Sequence, residues 1–111
     1  MTTTSLVRGN IAQTKVFAAV LGPTAPASVA ANITAPQTFT VPGVQPGDYI
    51  NCQCATAQTP GISIANVRVS AVNTIIIDFN NATAGGLVPV AGPYGFVWGR
   101  PESLPLDSNA L

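Results

Sequence analysis

The chain has 111 residues, the length of one compact domain, and only 7% of them are charged although 47% are apolar. Four Lys and Arg balance four Asp and Glu, and there is no histidine. The sequence therefore has no basic patch that could bind several phosphates. It also lacks histidine, the residue most often used in acid–base catalysis and in most zinc sites. No apolar run reaches the roughly 18 residues that a membrane helix needs. These counts argue against nucleic-acid binding, histidine-dependent catalysis and membrane insertion. The low charge favours a protein that works within an assembly.

The residue types favour β-structure. Val and Ile together number 20 against 6 Leu, and 12 Thr add further β-branched side chains. Ten Gly and ten Pro are spread along the chain, and each proline disfavours helix on its N-terminal side. We therefore predict an all-β chain with frequent turns.

Residues 1–32 are rich in Ala and Thr and show no clear alternation, so we predict an extended N-terminal arm. The apolar run at residues 16–21 is shorter than a typical signal-peptide core, and we expect no cleaved signal. The arm is expected to cross to a neighbouring subunit or a larger partner, although packing on its own domain is the alternative. Its candidate partner contacts are Leu6, Val7, Val16 and Phe17.

The first predicted strands lie at residues 38–41 and 48–54, separated by two Pro-Gly turns. Alternation in the second places Ile50, Cys52 and Cys54 on one face. If the strand is fully extended, the two cysteine Cα atoms are roughly 6.5 Å apart, near the long end of disulfide geometry. We predict that both cysteines are reduced core residues, which is typical of a cytoplasmic site of assembly.

Apolar residues fall on even positions at residues 62–64 and on odd positions at residues 67–69. A break or β-bulge near Ala65 and Asn66 would keep both apolar sets on one core. A hairpin follows, with Asn73 able to adopt a left-handed conformation. In the strand at residues 74–79, Ile75, Ile77 and Phe79 are predicted to point inwards.

Ile76 then points outwards from that strand. It is either covered by another chain or a single exposed apolar residue of the kind common on protein surfaces. We expect the former, so Ile76 is a candidate partner contact.

The last predicted strand, residues 94–98, places its aromatic side chains on one face, where they are expected to belong to the core. Arg100 follows and is expected to anchor the C-terminal segment to a carbonyl or carboxylate. Residues 100–111 are predicted to form an extended tail whose candidate partner contacts are Arg100, Leu104 and Leu106.

Together these elements predict a small β-sandwich, jelly-roll-like or Greek-key domain at residues 33–99, flanked by the two extended segments 1–32 and 100–111. Asp48 and Asp78 are the only carboxylates within that domain, and both are best interpreted as turn or edge residues. We therefore expect no catalytic site, no metal and no cofactor.

The pattern of residues 61–74, the Asn-Asn-Ala-Thr sequence at 80–83 and the Gly-Pro-Tyr-Gly-Phe-Val-Trp sequence at 92–98 resemble small virion proteins of tailed bacteriophages. In particular, they are similar to capsid decoration, or cement, proteins. The resemblance implies a non-enzymatic β-domain, assembled in the host cytoplasm, that stabilises the capsid exterior. Its implied partners are the major capsid protein and further copies of itself, a homotrimer being favoured over a homodimer.

Two alternatives remain open. The first is a phage fibre, tail or baseplate β-module that binds another protein or a host receptor. The second is a small enzyme or carbohydrate-binding module, against which the lack of histidine and of a converging carboxylate pair argues. Binding to purified capsids favours the decoration protein, receptor-dependent binding favours the fibre module, and a glycan screen tests the last.

Overall fold

The structure is a computed structural model that describes residues 11–101, with side chains described from Lys15 onward. This part of the chain contains six strands and no helix, and hence no helix that could cross a membrane. The predicted all-β class is confirmed. The strands are β1 (Ile11–Ala19), β2 (Thr34–Thr40), β3 (Tyr49–Cys54), β4 (Ile62–Ala71), β5 (Thr74–Asn81) and β6 (Tyr94–Pro101).

The strands form two antiparallel sheets of three strands each, consistent with the predicted β-sandwich. The first sheet has the order β1-β6-β3 and the second the order β2-β5-β4. Only the β4–β5 hairpin joins two strands that pair with one another, and the other connections cross between the sheets. The central strands, β6 and β5, therefore place their inward side chains opposite one another.

A single apolar core fills the space between the sheets. Ile75, Ile77 and Phe79 are fully buried, which confirms their predicted inward direction. Phe39 meets Phe79 edge-to-face with ring centroids 6.5 Å apart, a favourable geometry for aromatic pairs. Other fully or almost fully buried members of the core are Val29, Val44, Tyr94 and Phe96.

Two local predictions about β4 are confirmed. The pairing register with β5 shifts between Ile64 and Asn66, at the point where the apolar alternation changes parity. The hairpin that follows has Asn73 at φ 60°, a left-handed conformation that asparagine tolerates. Its side-chain oxygen also accepts a hydrogen bond from the Gly43 N–H at 2.8 Å, so the hairpin is tied to the loop before β3.

The N-terminal segment differs from its prediction. Residues 11–19 form β1, which pairs along its length with β6, and both Leu21 and Val29 are buried in the core. The domain therefore includes at least residues 11–32, and this stretch packs on its own domain rather than extending as an arm. Leu6 and Val7 lie outside the described residues.

The predicted boundary at residue 100 is also too early. β6 continues to Pro101, so Arg100 belongs to the last strand. Leu104 and Leu106 lie outside the described residues.

Candidate interaction surface

The outer face of the first sheet is uncharged and exposes several large apolar side chains. We call it the apolar face. Val16 is 74% exposed, Tyr49 66% and Val97 52%. Pairing aligns Val16, Val97 and Asn51 in one row across the three strands. The described side chains and glycines of the face are Val16 and Ala18 from β1, Gly95, Val97 and Gly99 from β6, and Tyr49, Asn51 and Gln53 from β3.

A shallow groove of about 300 Å³ crosses the apolar face. It is lined by Val16, by residues 51–53 of β3 and by residues 95–97 of β6. The hollow exists because Gly95 has no side chain: a Cβ added there would meet no heavy atom within 4 Å. An apolar groove with side-chain amides at its border suits another protein surface better than a charged small molecule.

The outer face of the second sheet is polar. β2 contributes the exposed Thr34, Thr38 and Thr40, while Arg68 and Asp78 add charge from β4 and β5. Ile76 lies on this face as predicted, in register with Thr38 and Arg68, and is half-buried within its own sheet. Its contact with another chain stays a prediction from the sequence, but the exposed polar residues on either side of it make this face the less favourable one for an apolar contact.

At one end of the first sheet, Asp48 organises the turn that leads into β3. Its carboxylate accepts hydrogen bonds from Arg100 Nε at 2.9 Å and Nη2 at 2.8 Å, and from Trp98 Nε1 at 2.9 Å. The backbone N–H of Gln45 donates a fourth at 2.9 Å. Arg100 Nη2 also donates to the Gly43 carbonyl at 3.0 Å. The predicted anchoring of Arg100 to a carbonyl or carboxylate is thus confirmed, for both kinds of acceptor.

The charges of Asp48 and Arg100 stabilise the fold. The hydrogen bonds from Arg100 are the main cause that holds the pKa of Asp48 well below its usual range, although burial acts in the opposite direction. The Asp48 side chain is only 3% exposed. The Arg100 guanidinium is engaged by Asp48 and lies over the Trp98 ring, and its contact with a partner stays a prediction.

Phe17 is likewise committed to its own domain. It points inwards from β1, and its ring stacks on Phe96 with centroids 5.0 Å apart and planes inclined by 10°. The Lys15 ammonium lies 5.5 Å from the centroid of the same ring. Phe17 therefore contributes to the core while remaining half-buried, and its contact with a partner stays a prediction. Of the candidate contacts in β1, only Val16 is on the apolar face.

The predicted placement of both cysteines on the core-facing side of one strand is confirmed. Cys52 and Cys54 are free and half-buried on the inward face of β3. Burial, with a smaller contribution from Cys54, raises the pKa of Cys52 to about 11. Among the described residues, no three His, Cys, Asp or Glu side chains are grouped so that they could hold a metal ion.

No family model, curated protein or solved structure matches the chain. The function must therefore be inferred from the fold and its surfaces. The sequence analysis did not identify Tyr49 or Val97 as candidate partner contacts, although the alternation in their strands contained the signal. The alternation that assigned Ile50 and Phe96 to the core also assigns their neighbours to the opposite face, and grouping those outward residues by sheet would have found both.

Proposed function

We propose that this chain is a structural virion protein that binds the outside of a bacteriophage capsid as a small oligomer and stabilises the shell. The observation that carries the proposal is the apolar face: a sheet surface whose described side chains carry no charge, on which Val16, Tyr49 and Val97 remain exposed. Surfaces of this kind mark sites of protein contact. The resemblance of residues 61–98 to capsid decoration proteins supplies the class of partner.

The distribution of charge supports a contact that depends on apolar burial. Asp48 and Arg100 are paired with one another, and Lys15 lies over the Phe17 and Trp98 rings. None of these groups belongs to the apolar face. Fully burying a valine is worth about 1.5–3 kcal/mol, so burying the exposed half of Val97 contributes roughly 1 kcal/mol per subunit.

The test is co-sedimentation of the purified chain with empty shells assembled from the major capsid protein encoded by the same genome. We compare the wild type with Val97→Asp and with its matched control, Ile76→Asp. Each substitution places a carboxylate on the outer face of a central strand, but on opposite sheets. Circular dichroism establishes that both variants keep the β-fold.

We expect the wild type and Ile76→Asp to sediment with the shells and Val97→Asp to remain in the supernatant. Loss of binding only in Ile76→Asp would contradict the role of the apolar face. Failure of the wild type to bind shells would contradict the decoration function and favour a fibre, tail or baseplate module.

A further inference from the structure

The edges of the two sheets differ in how they are covered. The exposed edge of a β-strand carries unpaired N–H and C=O groups that attract a further strand. In the second sheet, β2 is bordered by the segment after β1: the Thr40 N–H donates to the Gly22 carbonyl at 2.8 Å. The Gln37 side chain also exchanges two hydrogen bonds of 2.8 Å with the backbone of Ala27. This edge is therefore occupied by the chain itself.

The edges of β3 and β4 face one another at the side of the sandwich. They approach across a groove of about 350 Å³ lined by residues 50–52 of β3 and residues 64–67 of β4. The register shift between Ile64 and Asn66 lies in this groove, and a bulge hinders addition of another strand. Neither edge therefore offers a straight strand with which a further strand could pair.

The outer edge of β1 is different. β1 is the terminal strand of the first sheet and pairs only with β6, and no other described residue forms a backbone hydrogen bond with it. It is nine residues long, contains no proline or glycine, and is irregular only between Ile11 and Gln13. It is the one edge in the described part of the chain that is long, regular and uncovered.

We propose that β1 pairs antiparallel with β1 of a second copy of this chain, about a two-fold axis at Val16. The two first sheets then form one continuous six-stranded sheet. This inference rests on the proposed function and deepens it, because it names the contact that makes the small oligomer and selects the homodimer over the homotrimer that the resemblance favours.

The register follows from charge and geometry. Opposite residues of an antiparallel pair project to the same face of the sheet. A two-fold axis perpendicular to the sheet must therefore pass midway between one residue and the same residue of the second copy. An axis at Lys15 would oppose two ammonium groups, which is destabilising. An axis at Val16 instead sets Lys15 opposite Phe17 of the second copy, extending the contact that these residues already make within one chain.

The same register avoids the irregular start of β1. It pairs residues 13–19 with their copies, beyond the shift that follows Ile11. Seven opposed residues supply about seven backbone hydrogen bonds. An axis at Phe17 would leave only five residues overlapping, and an axis at Thr14 would include the irregularity.

The pairing also enlarges the apolar face. With three strands about 4.8 Å apart and six rows of about 3.3 Å, one face measures roughly 14 by 20 Å. That footprint is well below the roughly 800 Å² per partner of a stable interface. Joining two copies at β1 brings the two Val16 side chains together and extends the row of Val16, Val97 and Asn51 across both subunits. The dimer thus presents twice the surface to a shell.

The test uses disulfide cross-linking of the full chain in the absence of capsids. In the Val16→Cys variant, the two introduced cysteines lie opposite one another with Cα atoms about 4.5–5.5 Å apart, which suits a disulfide. The matched control is Ala18→Cys, on the same exposed face of the same strand. In the proposed register its two copies are offset by four residues, about 13 Å, which is too far for a disulfide.

Under mild oxidation, we expect Val16→Cys to form a covalent dimer at least about tenfold faster than Ala18→Cys does. Peptide mapping by mass spectrometry identifies the joined cysteines and separates them from Cys52 and Cys54. Equal cross-linking of both variants, cross-linking of neither, or faster cross-linking of Ala18→Cys would overturn the proposal.

Sedimentation velocity of the wild type over rising protein concentration provides a second measurement that needs no substitution. We expect a monomer–dimer equilibrium, and a chain that stays monomeric at every concentration would also overturn the pairing. Because neither experiment contains shells, a failed dimer is distinguished from a failed capsid contact.

Discussion

Replacing Asp48 by alanine removes the acceptor that holds the turn before β3 against β6. The Trp98 and Gln45 N–H groups each lose a hydrogen bond of 2.9 Å to a carboxylate that is 3% exposed. The Trp98 N–H is part-buried, and leaving it without a partner costs about 1 kcal/mol or more, whereas the Gln45 N–H is exposed and regains a hydrogen bond from water. Arg100 is 31% exposed and recovers hydration, so its loss adds only about 0.5–1 kcal/mol. We therefore expect Asp48→Ala to lower the free energy of unfolding by about 2 kcal/mol.

Urea unfolding measures this difference, and in a domain of this size it corresponds to a fall in Tm of roughly 8–16 °C. The matched control is Asp78→Ala, which removes a half-buried carboxylate from the outer face of the second sheet and is expected to change stability by less than about 0.5 kcal/mol. An Asp48→Ala variant no less stable than the Asp78→Ala variant would refute the reasoning.

The pH dependence has a definite sign. Because the pKa of Asp48 is lower in the folded chain than its usual 3.8, its ionised form stabilises the fold fully above that usual value. The stabilisation is lost as the pH falls below it. The difference between the wild type and Asp48→Ala should therefore be constant above about pH 5 and shrink in more acidic solution. A difference that persists unchanged at pH 2 would contradict the role of the carboxylate.

Three further predictions concern the core, the thiols and the assembly. Asn81 is fully buried and its side-chain amide forms four hydrogen bonds, so Asn81→Ala should cost about 3 kcal/mol in urea unfolding, far more than Asn80→Ala. With Cys54 replaced by serine, alkylation of Cys52 should keep accelerating from pH 8 to pH 10, because burial, the larger cause of its raised pKa, is retained; a plateau near pH 9 in the measured rates would disprove this. Shell binding should persist in molar salt, since the apolar face is uncharged, and release by moderate salt in a sedimentation series would show that ion pairs dominate.

The sequence predicts much of the local structure, because alternation and turn residues act over short distances. The change of apolar parity between Ile64 and Val67 located the bulge in β4, and Asn73 located the hairpin. Alternation also assigned Ile75, Ile77 and Phe79 to the core. Each of these predictions needs only the two-residue period of a strand and the conformational tolerance of asparagine.

The pairing of strands could not be predicted in the same way. Four of the five connections cross between the sheets, so neighbours in sequence are seldom neighbours in a sheet. β1 was missed because its small and polar residues do not alternate clearly, and its strand conformation comes from pairing with β6, some 80 residues later. The apolar face depends on that pairing, since Val16 and Val97 become adjacent only when the first and last strands meet.

The two outer faces differ in polarity. A chain with few charged residues can therefore expose one face to water while the other contacts a partner. Of the charged side chains in the described part of the chain, Lys15, Asp48 and Arg100 are engaged with aromatic rings or with one another. Arg68 and Asp78 remain, and both lie on the outer face of the second sheet beside the exposed threonines of β2. Hydroxyl groups hydrate a surface without adding charge. In the proposed contact with a shell, the apolar face is covered and the polar face is left in solvent, which agrees with the low charge of the chain.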